Sequence, residues 1–299
     1  MRPTAPQDRV GLLLAALVVG LTGLLVPASG GVGHAAPANR PTPVLLAAAA
    51  PSGLPALVRA ATLEIAKAST ATASRTAKPA PAAPGGPVEK QLKVKIKAKP
   101  EVLVEQRLGK SSRRTVALTF DDGPDPAWTP EVLALLRKYR AVATFCMIGQ
   151  RVQDHPELVT KVVNAGMRLC DHSQTHPVSL AALDEDAQRD EILDARADLA
   201  EVTKAAVPYF RAPGGNWSPE VTKLAAKKKM QPLGWTVDPR DWSLPGTPAI
   251  VDRVQSGVAP GAIVLMHDGG GPRQQTVDAL EVLLPWLVDH GYRFTFPTP

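Results

Sequence analysis

A chain of 299 residues, 44% of them apolar, is long enough for one large domain or two small ones and apolar enough to bury a core. Its formal net charge of +6 is unevenly spread: residues 1–114 carry 16 Lys and Arg against 5 Asp and Glu, whereas residues 115–299 carry 18 against 23. The part that reads as foldable is therefore acidic, which argues against a nucleic-acid-binding domain, and five of the six histidines lie in it.

Residues 1–36 have the order of an export signal. Arg2 and Arg9 flank the start, an uncharged apolar run covers 10–26, and small residues follow from Ala28 to Ala36. Seventeen apolar residues are also at the short limit for a membrane span, so a retained N-terminal anchor stays open beside a cleaved signal peptide. No cysteine precedes Cys146, which excludes a lipidated N-terminus. Either reading puts the remainder outside the cytoplasm, secreted or associated with the cell wall or membrane. Residues 37–114 read as a low-complexity basic linker rich in Pro, Ala, Ser and Thr. Its cations are either simply solvated or attach it electrostatically to an anionic wall or membrane surface. Within it, 54–68 has the composition of a short Ala-rich helix, and 93–97 alternates like a strand. The linker holds no motif residue, so a chain beginning near Ser111 is expected to fold and keep its rate on soluble substrate.

From Thr115 a short β-rich apolar run, turn residues and a helix-period segment recur in that order. Strands are expected over 115–120, 142–148, 167–171, 207–211, 231–237, 261–267 and 292–296. Thr129, Ser218 and Thr247 each stand before a proline as capping hydroxyls, and Gly166, Gly257 and Gly291 sit where helices should stop. Seven strands alternating with six helices imply a parallel sheet with right-handed crossovers. Residues 115–299 are fewer than the ~250 of a full eightfold barrel, so a reduced or distorted βα barrel fits better than a doubly wound sheet.

The unusual polar residues then fall on one rim. Asp121 and Asp122 follow the first strand, His172 and His176 the third, Arg211 closes the fourth, Asp238 and Asp241 follow the fifth, and His267-Asp268 closes the sixth. All stand at C-terminal strand ends, where βα folds build active sites. His172 and His176, spaced i, i+4, would point the same way from one helical turn. Two imidazoles and one carboxylate leave open coordination positions suited to zinc and water activation. Adjacent side chains of a strand point oppositely, so one of the paired aspartates can bind metal while its neighbour serves as a base. A metal, a base and a separate histidine acid are the parts that amide or ester hydrolysis needs.

Thr119-Phe120-Asp121-Asp122-Gly123-Pro124, His172-Ser173-x-x-His176, Arg211-Ala212-Pro213-Gly214-Gly215, Asp238-Pro239-Arg240-Asp241-Trp242 and Leu265-Met266-His267 occur in that order. Over 115–296 the set resembles the five-motif signature of the metal-dependent polysaccharide deacetylases, carbohydrate esterase family four. The resemblance implies a distorted seven-stranded βα barrel that removes acetyl groups from N-acetylglucosamine in chitin or peptidoglycan. An O-acetyl (xylan) esterase on the same scaffold, or a weakly active wall-binding protein, stands as the alternative. It further implies Asp121 as general base, Asp122, His172 and His176 as ligands of a divalent metal, most simply Zn2+, and His267 as general acid. Arg211 would orient Asp121, Asp241 would hold His267, and the Gly214 N–H would face the oxyanion. Many relatives carry a tyrosine where this chain has Gly214; Trp217 is a candidate replacement for that ring. Trp242 and Leu265 would form the acetyl pocket and Trp128 a sugar-stacking face, with Trp235 and Trp286 left to core packing. A monomer acting on an N-acetylated polysaccharide is expected.

Cys146 and Cys170 lie on consecutive strands of a domain expected to be exported. A disulfide between them is one reading and two buried thiols the other.

Overall fold

The computed structural model describes residues 94–106 and 114–299; the signal segment, the stretch at 54–68 and residues 37–93 of the linker lie outside the described residues. In chain order the elements are β1 Thr115–Gly123, α1 Thr129–Lys138, β2 Ala143–Met147, α2 Gly149–Asp154, α3 Pro156–Asn164, β3 Arg168–Asp171, α4 Glu185–Thr203, β4 Tyr209–Phe210, α5 Pro219–Lys227, β5 Gln231–Pro232, α6 Thr247–Gly257, β6 Ala262–His267, α7 Gln274–Asp289 and β7 Arg293–Phe294. Among the described residues no helix is long and apolar enough to cross a membrane.

The strands form one parallel sheet in the order β5–β4–β3–β2–β1–β6, with β7 beside the first residues of β1. This is the distorted seven-stranded βα barrel that the alternating pattern and the motif resemblance imply. Along β1, Val116, Leu118 and Phe120 pack toward the helices, while Ala117 joins Cys146, Cys170, Tyr209, Leu233 and Ile263 in a second, inner cluster. Cys146 and Cys170 stand opposite each other in the β2–β3 register and are joined by a disulfide.

Four expectations are corrected. β1 does not stop at Phe120: pairing with β6 continues to Asp121↔His267 and pairing with β2 to Gly123↔Met147, across an irregularity at Asp122. β4 and β5 are only two residues long, because Pro208, Pro213 and Pro232 remove ladder donors. The β2–β3 connection holds two helices instead of one, since Pro156 cannot continue the helix that ends at Asp154. Of the three capping hydroxyls only Ser218 caps, accepting from Val221 N at 3.2 Å; Thr129 Oγ1 instead donates to Asp268 Oδ2 at 2.6 Å, and α6 is entered through Gly246.

The domain boundary expected after Arg114 also moves. Residues 99–106, assigned by composition to the linker, lie in the seam between β5 and β6. Leu103 bridges to Leu233 and Glu105 to Ala262. Leu103 N donates to Pro232 O (2.8 Å), Gly234 N to Leu103 O (2.8 Å) and Gln106 N to Gly261 O (2.9 Å), while Lys99 N donates to Gln231 Oε1 (3.0 Å). Higher in the barrel, Val237 closes directly on β6, with Leu265 N donating to Val237 O at 2.9 Å. Leu103 is part of the inner core. Residues 94–97 alternate in exposure as their sequence suggests but form no strand. A chain beginning at Ser111 is therefore expected to be unstable rather than self-sufficient. Leu103→Ala in the full chain should cost about 2–5 kcal/mol in urea unfolding; an unchanged midpoint would show that the seam segment is peripheral.

Candidate active site

The ends of β1 and β6 set the first pair. Their register places Asp121 directly beside His267. Asp122 follows with φ +70°, a left-handed twist that turns its carboxylate off the strand's alternation and into the cleft above. Room for it comes from the loop after β6. Gly270 has φ +72°, and a Cβ built there would collide with the Asp122 carboxylate, so only glycine serves.

His172 and His176 converge as expected, but not from a helical turn. They occupy an irregular loop after β3 in which Ser173 (φ +66°) and His176 (φ +60°) are left-handed. The loop is held by Ser173 N donating to Asp171 Oδ1 (2.8 Å), His176 N to Ser173 Oγ (3.1 Å) and Gly149 N to Ser173 O (3.0 Å). Thr175, between the two histidines, is gripped by both carboxylate oxygens of Glu191 on α4. The Nε2 atoms of His172 and His176 lie 3.5 and 3.3 Å from Asp122 Oδ1, and ligand atoms of the three residues lie within 4.8 Å of one another. His172 Nδ1 is 2.7 Å from Arg211 O. A carbonyl only accepts, so the proton sits on Nδ1 and the Nε2 lone pair is presented to Asp122.

Asp122 Oδ1 is buried and has no hydrogen-bond partner among the described residues. An orphaned carboxylate oxygen facing two imidazole nitrogens is what a divalent cation would satisfy, so the residues present fit such an ion. Burial opposes ionisation of Asp122, yet the charge that His172 carries when protonated, backed by His267 and His176, holds its carboxyl well below the usual range. His172 is raised: burial disfavours its charge, but Asp121 and Asp122 outweigh that. His176 is lowered by burial and by His172.

Arg211, fully buried, holds Asp121. Its Nη1 donates to Asp121 Oδ1 at 2.6 Å and to Thr119 Oγ1 at 2.9 Å, while Nε and Nη2 donate to Leu233 O (3.0 Å) and Gly234 O (2.9 Å). Asp121 Oδ2 is thereby left toward the cleft, 3.6 Å from His172 Nε2. Asp241 holds His267. Its Oδ1 accepts from His267 Nδ1 at 2.7 Å, and its Oδ2 accepts from His267 N (2.9 Å) and Thr276 Oγ1 (2.7 Å). Burial works against an imidazolium at His267, but Asp241, with Asp121 and Asp122 behind it, raises the ring above its ordinary value.

A cleft of about 520 Å³ opens over these groups, lined by Asp121, Asp122, His172, His176, Gly214, Leu265 and His267 together with Val178, Ala212, Gly215, Trp235, Asp238, Trp242, Gly270 and Arg273. The turn at Pro213–Gly215 is closed by Gly215 N to Ala212 O (2.9 Å) and Asn216 N to Pro213 O (3.2 Å); the Gly214 N–H takes part in neither bond. Gly214 is itself left-handed, at φ +61°.

The tryptophans are redistributed. Trp242 is at the cleft, 47% exposed, with the Arg240 guanidinium over its ring. Trp128 and Trp217 are not in the lining: both pack on the outer core, Trp217 edge-to-face on Phe210, because their positions precede helices that lie outside the barrel. Trp217 therefore does not replace a ring beside Gly214. Trp235 packs on the inner core cluster as expected and also lines the cleft against Gly215, where a Cβ would meet its ring at 2.7 Å. Trp286 packs against the core as expected. Asp268, fully buried beside His267, receives the Thr129 hydroxyl and is pushed up to about 7, first by burial and then, against that hydrogen bond, by the charges of Asp122, Asp121 and Asp125. Its position at a strand end was legible; its burial was not.

The sequence pattern of the polysaccharide deacetylase family matches residues 108–233. A chitooligosaccharide deacetylase of Sinorhizobium fredii is 43% identical over 188 residues, covering 60% of this chain and 87% of the relative. A peptidoglycan-N-acetylglucosamine deacetylase of Bacillus cereus is 44% identical over 186 residues, covering 62% and 86%. Among solved structures, a CE4-family pseudoenzyme from Bacillus anthracis superposes with a TM-score of 0.60 at 30% identity, covering 66% of this chain and 67% of that one.

Proposed function

The chain belongs to the polysaccharide deacetylase family and is a hydrolase of that class, and on that footing we propose that it removes N-acetyl groups from N-acetylglucosamine units of chitin oligomers or peptidoglycan by a metal-assisted, acid–base mechanism. The observation that carries this reading is the pairing of Asp121 with His267 across the β1–β6 register, in the same cleft as Asp122, His172 and His176. Fold alone does not decide activity, since a pseudoenzyme shares it; the complete set of side chains favours turnover.

Asp122, His172 and His176 would hold a divalent cation, zinc being the ion this donor set suits, which would supply Lewis-acid polarisation of the acetyl carbonyl and a lowered pKa for water. Asp121 Oδ2 takes the proton from water as the new C–O bond forms, and Arg211 keeps that carboxylate ionised and aimed. The Gly214 N–H donates to the developing oxyanion. His267, held through Nδ1 by Asp241, donates from Nε2 to the sugar nitrogen as the C–N bond breaks, so acetate and a free amine leave. Trp242 and Leu265 flank the acetyl methyl. The test is acetate release from N-acetylglucosamine oligomers, intact peptidoglycan and acetylated xylan side by side; release from xylan alone would replace this reading with an O-acetyl esterase.

Export is part of the same proposal: such polymers lie outside the membrane, and the basic–apolar–small order of residues 1–36 supports a signal or anchor. Finding the chain wholly in the cytoplasmic fraction would remove it.

The acid role fixes a pH dependence. His267 must be protonated to donate, so turnover falls as pH rises through its pKa. Because Asp241 raises that pKa in the folded protein, the alkaline limb of kcat should lie above the ordinary imidazole value of about 6.5. Asp241→Asn removes the charge and should move the limb to lower pH. A limb that stays in place would assign it to another group.

A further inference from the structure

Arg273 is the one arginine or lysine among the described residues lining the cleft. It is 3% exposed. Its Nε donates to Gly269 O at 2.7 Å and its Nη1 to Pro272 O at 3.3 Å. No described carboxylate oxygen lies within 4.0 Å of its guanidinium, and Nη2 has no protein partner among the described residues. Five donors in a planar fork are thus met by two carbonyls, and a cation withdrawn from water is left without a counter-charge. The glycines before it place it on the metal-ligand side of the cleft. Gly270 lies against the Asp122 carboxylate, and a Cβ on Gly271 would stand 3.7 Å from Arg273 Nη2. Arg273 therefore lines the cleft that holds the reacting groups, three residues beyond the glycine in contact with one metal-ligand candidate.

Resting on the deacetylase reading, we propose that Arg273 is a specificity residue that receives a carboxylate carried by the glycan near the N-acetyl group attacked. The planar fork suits a carboxylate and offers nothing comparable to a neutral sugar. Two glycans carry such a group: one with a lactyl ether acid, as on muramic acid, and one with a uronic acid in the ring.

The test compares wild-type enzyme with Arg273→Gln and Arg273→Lys on oligosaccharides of equal length. One is neutral (N-acetylglucosamine only), one bears lactyl acids, one bears glucuronic acid, and one is the lactyl oligomer as its methyl ester. The wild type should prefer one acidic oligomer over the neutral one, and which acid it prefers names the source. Arg273→Gln should reduce that kcat/KM preference by roughly 10- to 100-fold, the worth of hydrogen bonds to a charged group. The loss should appear mainly in KM, and Arg273→Lys should recover part of it. Esterification should reproduce the loss in the wild type and add nothing in Arg273→Gln. Equal losses on acidic and neutral oligomers would make Arg273 a loop staple through Gly269 and overturn the proposal. Calorimetric binding reads the same contrast without turnover. Absence of acetate from every oligomer overturns the deacetylase reading, whereas equal binding of acid and ester overturns this one.

Discussion

Asp122→Ala is expected to lose bound divalent metal and turnover together. The carboxylate is the only member of the triad that both imidazoles approach, at 3.5 and 3.3 Å, and its Oδ1 has no competing partner among the described residues. The neighbouring carboxylate is a poor substitute: Asp121 Oδ1 is committed to Arg211 at 2.6 Å, and its Oδ2 approaches only one of the two imidazoles among the described residues, His172 at 3.6 Å. Loss of an outer-sphere partner of a metal ligand typically costs 10–100-fold in affinity, so loss of the ligand itself should exceed roughly 100-fold. The check is metal analysis of the purified variant beside its kinetics. His172→Ala and His176→Ala should behave alike, since each contributes one coordinating nitrogen. A variant that keeps stoichiometric metal would remove Asp122 from the ligand set.

Asp121→Asn should separate the adjacent aspartates by leaving metal content near that of the parent while turnover falls roughly 10²- to 10⁴-fold, the usual worth of a positioned proton acceptor. The amide is nearly isosteric and can still accept from Arg211, but it no longer takes a proton from water. It also leaves the fully buried guanidinium without its counter-charge, and breaking a buried pair from one side typically costs about 3–5 kcal/mol. The variant should therefore unfold at lower urea as well. His267→Ala should likewise keep metal and lose turnover, and because it strips the fully buried Asp241 of its imidazole partner it too should unfold at lower urea. If Asp121→Asn lost its metal while Asp122→Ala retained it, the two roles would be exchanged.

These two variants show how unevenly the site was legible. Asp121, Asp122, His172, His176, Arg211, Asp241 and His267 were recoverable because each stands beside an apolar run whose end marks a strand terminus, and parallel strands deliver their C-terminal ends to one rim. Their division of labour was harder to read. It depends on Asp122 being left-handed and on Arg211 reaching across from β4 to Asp121, neither of which is a property of local spacing. The i, i+4 spacing of the histidines suggested a helical turn; the structure reaches the same convergence through two positive-φ residues and the grip of Glu191 on Thr175.

The tryptophans and the linker mark the opposite limit. Aromatic residues near a rim look alike in sequence. Whether a ring faces the cleft, as Trp235 does, or the outer core, as Trp128 and Trp217 do, is settled by which side of the barrel wall its backbone passes. Residues 99–106 carry the composition of a tether yet complete the seam between β5 and β6, because Leu103 takes its backbone hydrogen bonds from partners about 130 positions away and its burial from a cluster spread over residues 117–263. Sequence alone determined the fold class, through periodicity, the family, through its motif resemblance, and which polar side chains stand at the cleft rim, through residue types at strand ends. The tertiary structure decided the oxygen each group presents, the loop conformation that gathers Asp122, His172 and His176, the inclusion of residues 99–106 in the barrel seam and the lack of a described counter-charge for Arg273 at the cleft, since these depend on long-range packing and backbone handedness that local pattern does not encode.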